Sequence, residues 1–326
     1  MKLYSLFLSN MLRWNVGRDD PTTWPAIEEF GAVVLNPFAS LENEPLPSSF
    51  PISDGRFHVL TNRLYLATTA PLQAEMLERV IQPWLRLLRV ASKQASLPTE
   101  VYGYSERDFE LAAIQVLPPV ARPRGILFGE FHIQTALDDA ALRRAYELRT
   151  EAALPLFNEL LLDSLHACEL RQNREAILYA AIATEALAQH ELTRIYEAAL
   201  LAIPCPSHLN VLSFIQAGGA VKKKDPIYVL LTESDNFGRL LHEAPLYLLR
   251  RSLLNEAPEL YRRAKSLYGT RNRLSHGQLV TPEDDSRLQI DSSGAMAAVQ
   301  IAVEVFAWFG QTGYRVPDHR AIEIEA

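Results

Sequence analysis

The chain has 326 residues, 48% of them hydrophobic and 22% charged, with a formal net charge of −7. That is the balance of a globular protein with length for about two domains, and it excludes a disordered polyelectrolyte. An acidic total gives no chain-wide footprint for nucleic acid, so charge has to be read locally.

The start, Met1 to Trp14, holds one lysine and a short apolar run without a small-residue cleavage site, unlike a signal peptide. No stretch approaches the ~20 apolar residues of a membrane helix, and a cytoplasmic location is expected. Cys168 and Cys205 are the two cysteines; their isolation supports neither a disulfide framework nor a zinc site, and no metal or cofactor is expected.

Residues 1–53 carry Pro21, Pro25, Pro37, Pro45, Pro47 and Pro51, which break long elements. Persistent apolar residues such as Leu3, Phe7, Trp14 and Val33 predict short strands and loops, with one short helix over Trp24 to Phe30. Arg56 to Thr68 is rich in β-branched and aromatic residues and reads as one or two strands. Pro71 opens a helix to about Ser96, with Pro83 inside it. Phe109 to Leu117 and Gly125 to Thr135 read as strands around a proline-rich turn. Residues 1–135 are therefore an expected α+β module without a chemical signature. His58 and His132 lie in strand patterns without metal-ligand spacing and read as structural.

From Asp138 the pattern is helical. Ala140 to Leu170 reads as a long helix divided at Pro155, so residues 136–172 form a connecting segment. A second long helix runs to Leu201, and its alanines let another helix approach closely. Leu209 to Ala217 reads as a helix, followed by a loop holding Lys222, Lys223 and Lys224, a solvated turn or an RNA contact. The helix after it, from about Ile227, is expected to break at Phe237-Gly238 and continue to Leu254.

The most informative stretch is Glu259 to Gly277, ELYRRAKSLYGTRNRLSHG. Leu260, Ala264, Leu267, Tyr268 and Leu274 recur at helical spacing and give it a core face. Gly277 is a helix stop, and Arg271, Arg273 and His276 suit the negative end of the helix dipole. Asn272 and His276 are four apart and share a face, while Arg271 is rotated about 140° from His276. Two such helices facing across a twofold would gather two arginines and two histidines around a phosphodiester. A plain helix cap is the competing reading. Ala295 to Gly310 closes the chain as an apolar helix.

Arg271-Asn272-x-x-x-His276, late in a helix with Leu-Tyr before it and Gly277 behind it, resembles the signature of the HEPN superfamily. Ile182-Ala183-Thr184-Glu185-Ala186-Leu187 resembles part of the first long helix of Apea-like HEPN proteins. The likeness covers about residues 173–310 and implies an antiparallel helical bundle over 173–326. It also implies a homodimer formed along the motif helices. By that resemblance Arg271, Asn272 and His276 are catalytic and Glu185 contacts the motif arginine. From the residues alone, Glu185 either pairs with a cation or reaches water at the edge of the apolar face.

Between Arg250 and His276 seven basic residues stand against two acidic ones, a local footprint for a phosphate backbone. Arg262, Arg263, Lys265 and Arg273 are its candidate RNA contacts. The resemblance implies an endoribonuclease, a hydrolase-type nuclease acting without metal in antiviral defence or as a toxin. His276 would serve as general base or acid, Arg271 would stabilise phosphate charge, and Asn272 would orient His276 or the phosphate by hydrogen bonds. The alternatives are a HEPN module that dimerises or binds RNA without turnover, and a nuclease restrained by a trigger or partner at residues 1–135.

Overall fold

The computed structural model describes residues 1–42, 44, 46–52, 55–117, 136–150, 154–201, 237–276 and 288–317. They fall into two compact units, the first covering Met1–Leu154 and the second starting at Pro155. An antiparallel sheet fills the first, and the second is helical.

Six strands make the sheet: β1 (Lys2–Val16), β2 (Thr23–Ile27), β3 (Ala32–Leu35), β4 (Ser48–Pro51), β5 (Phe57–Thr68) and β6 (Val101–Asp108). Their order is β2-β3-β5-β1-β6, with β4 also paired to β5. In β1, Tyr4, Leu6 and Leu8, then Leu12, Trp14 and Val16, point into one core with period two. The register with β5 shifts between Phe7 and Leu12, so this strand crosses an irregularity without changing its buried face. Helix α1 (Ala74–Ser92) covers that face with Ile81, Trp84, Leu85 and Leu88. Leu3, Leu35, Tyr65 and Ala67 form a smaller core on the opposite face.

Gln94, fully buried after α1, accepts from Arg13 N at 3.0 Å and donates to Arg13 O at 3.2 Å. It gives β1 a side-chain substitute for a strand partner. Trp24 Nε1 donates to Asp139 at 2.8 Å, at the start of α2 (Asp139–Thr150).

Several sequence expectations for this unit are corrected. The region through residue 53 contains a strand of 15 residues instead of only short ones. Thr23–Ile27 is a strand, not the start of a helix, and only Glu28–Phe30 turns as a 3-10 helix. Pro25 fits because β2 ends the sheet order, where a missing N–H is tolerated. Phe109 to Leu117 holds a 3-10 turn and one isolated bridge, and the strand in this region is β6, just before it. Gly125 to Thr135 and His132 lie outside the described residues. His58 is buried in β5, and burial lowers its pKa.

The second unit contains α3 (Leu156–Glu169), α4 (Asn173–Leu201), α5 (Phe237–Leu249), α6 (Leu253–Glu256), α7 (Pro258–Ser275) and α8 (Ser292–Trp308). Pro155 precedes α3, where its missing N–H costs nothing. Three residues join α3 to α4, and Arg171 among them takes a left-handed φ of 57°. Arg171 N donates to Cys168 O and Gln172 N to Ala167 O, a closing pattern that satisfies the last carbonyls of α3. The short joint makes a helical hairpin.

Helix α4 is central and packs against α3, α5, α7 and α8. Ala176, Ala180, Ala181, Ala183 and Ala188 are buried along it, and small side chains permit that many neighbours. Helix α5 stops at Leu249 rather than running to Leu254, because Arg250 turns left-handed at φ 59° and Ser252 caps α6. Leu209 to Ala217 and the three lysines lie outside the described residues. Among the described residues no helix is long and apolar enough to cross a membrane.

Candidate functional site

Helix α7 carries the motif. Pro258 opens it, and Leu260, Ala264, Leu267, Thr270 and Leu274 form its buried stripe. His276 is the C-cap residue, with its amide directed at the carbonyls of Asn272 and Leu274. Its side chain is exposed, so the imidazole stands at the helix end and not in the core.

Arg271 points inward by comparison. Its side chain is 25% exposed, and one Nη lies 3.7 Å from Oε2 of Glu185 on α4. That separation is an ion pair without a hydrogen bond. The other Nη donates to Asn272 Oδ1 at 2.8 Å. The guanidinium carbon sits 5.4 Å from the ring centroid of Tyr268, and Tyr268 is stacked on Phe237 at 4.7 Å and 9°. Arg271 Nε is buried with no hydrogen-bond partner among the described residues. The arginine is thus aimed by a carboxylate, an amide and an aromatic stack, with donors left over.

Of the two readings of Glu185, the structure gives the paired one. The residue is 7% exposed and faces Arg271. Burial raises its pKa above the usual carboxyl value, and the Arg271 charge opposes that only in part.

Several basic residues around the motif pair with carboxylates inside the bundle. Arg262 pairs with Glu259, Arg263 with Glu304 of α8, and Arg251 with Glu256 while covering Trp308. Lys265 is exposed with its ammonium 5.8 Å from the Tyr261 ring, and Arg273 occupies the last turn. The local charge excess read from Arg250 to His276 omits Glu185 of α4 and Glu304 of α8 and falls from +5 to +3 with them counted.

One cation escaped the sequence reading. Arg174, exposed on the first turn of α4, donates to the Leu274 carbonyl at 3.3 Å. Its signal was available: an arginine at a helix N-terminus opposes that helix's own dipole and needs another partner.

Among the described residues no three His, Cys, Asp or Glu side chains gather as a metal site would. Neither a protein-family model, nor a curated protein, nor a solved structure matches this chain.

Proposed function

We propose that the helical unit is a HEPN-like endoribonuclease that cleaves RNA through its own 2′-hydroxyl, without a metal ion. The observation that carries this reading is the aimed Arg271 of α7, held by Glu185, Asn272 and Tyr268 and followed by an exposed His276.

His276 takes the proton from the ribose 2′-OH, or gives one to the leaving 5′-oxygen. The 2′-oxygen attacks phosphorus, leaving a 2′,3′-cyclic phosphate and a 5′-hydroxyl. Arg271 stabilises the charge that builds on the phosphate oxygens, and preorganised charge is effective because it needs no reorganisation during the reaction. Asn272 fixes the guanidinium. The side-chain directions of Arg271 and His276 diverge by about 140° on an ideal helix. A second copy, facing along α7, brings the missing partner to each phosphate. The biological setting is a defence or toxin-type effector in the cytoplasm, with the sheet unit as the seat of its restraint.

Incubating the purified chain with an RNA pool in chelator and mapping the ends tests this. Wild type leaves cyclic-phosphate ends, and His276→Ala slows cleavage by about 10²–10⁴-fold with its fold intact. Unchanged cleavage by that variant refutes the assignment. The engagement of Arg271 within one chain favours, as a second reading, a bundle that dimerises or binds RNA without cutting it. Bound but uncut RNA is its mark.

A further inference from the structure

We propose that Arg174 is a second phosphate-binding arginine of this site, holding an RNA phosphate beside the one that Arg271 and His276 act on. The proposal deepens the ribonuclease reading and rests on it.

Three observations place Arg174 there. It donates to the Leu274 carbonyl, the same carbonyl towards which the His276 amide is directed. The guanidinium of α4 is therefore held at the last turn of α7, two residues before the one that moves the proton. Second, Arg174 is exposed, and among the described residues no carboxylate pairs with it, whereas Arg251, Arg262 and Arg263 are each held by a glutamate. A guanidinium has five N–H donors, and the Leu274 bond uses one. Third, its position is fixed from behind: the three-residue joint closed by Arg171 and Gln172 sets where α4 begins. The side chain starts from a rigid helix end, which suits a positioning contact.

An extended polyanion fits these features best. A carbonyl already anchors one edge of the guanidinium, and the free edge presents paired N–H groups of the kind that grip a phosphate bidentately.

The test uses the full chain carrying His276→Ala, so that bound single-stranded RNA stays uncut. Affinity is measured across a salt series with and without Arg174→Gln. Glutamine drops the charge while keeping a polar, helix-compatible side chain. Loss of one phosphate contact makes the slope of log K against log salt shallower by about 0.7. Arg174→Lys restores the slope, and helical circular dichroism checks that each variant is folded. In the chain with His276 intact, Arg174→Gln raises KM for RNA while kcat changes little.

If wild type cleaves RNA and the Arg174→Gln slope is unchanged, this inference falls and the ribonuclease reading stands. A shallower slope without cleavage by wild type keeps Arg174 as an RNA contact and overturns the ribonuclease. Neither binding nor cleavage overturns both.

Discussion

The Glu185–Arg271 pair makes an asymmetric prediction. At about 4 Å two unit charges gain about 4 kcal/mol at an effective dielectric of 20, and removing each ion from water costs several kcal/mol. Arg271 is 25% exposed, so water screens the pair and trims the gain. The raised pKa of Glu185, with burial as its first cause, says that desolvation wins. Glu185→Gln should therefore lie within about 1 kcal/mol of wild type at pH 7.5, on the stabilising side.

Arg271→Gln strands a buried carboxylate and should cost about 2–3 kcal/mol, less than a fully buried pair because of that exposure. The double variant should recover most of this loss. The pH sign follows from the same shift. A carboxyl whose folded pKa is raised contributes stability that is complete below its unfolded value and lost as pH rises through the folded one. The advantage of Glu185→Gln should accordingly be largest at pH 7.5 and vanish below the ordinary carboxyl value of 4.5. Amide hydrogen exchange in α4 and α7 reads this locally, which matters in a chain of two compact units. A Glu185→Gln variant less stable than Arg271→Gln at pH 7.5 would refute the reasoning.

Other expected outcomes come from the scaffold. Gln94→Leu leaves the Arg13 N–H without its 3.0 Å acceptor and should cost about 1–3 kcal/mol in the sheet unit, read by urea unfolding of the full chain. Asp291 caps α8 by accepting from Gly294 N at 2.8 Å, and Asp291→Ala should cost about 1 kcal/mol. At Gly294 itself an added Cβ would stand 1.8 Å from Gln289 O, so Gly294→Ala should be the worse of the two in thermal unfolding. The Cys168 thiol is pushed up to about 11 by burial, so peptide mapping after alkylation at pH 8 should find it unmodified in the folded protein.

What was legible in the sequence follows from how local each signal is. The motif helix announced itself through Leu260, Ala264, Leu267 and Leu274, whose spacing needs no tertiary knowledge. The partner of Glu185 came only from the family resemblance, because a carboxylate near an apolar stripe satisfies itself in water or on a cation, and packing decides which. The pairing of Arg263 was out of reach for the same reason, since Glu304 is 41 residues from it in the chain. In the first unit the prolines suggested interruption, yet Pro25 and Pro51 sit within strands β2 and β4. Strand β1 kept its alternation on both sides of residues 9–11, and that break disguised one long strand as fragments.

The joint between α3 and α4 sets the angular phase of every side chain that follows it. One inserted residue there would turn α4 by about 100°, carrying Arg174 and Glu185 away from α7 together. The number of residues in that joint, more than their identity, is what keeps carboxylate and motif arginine in step.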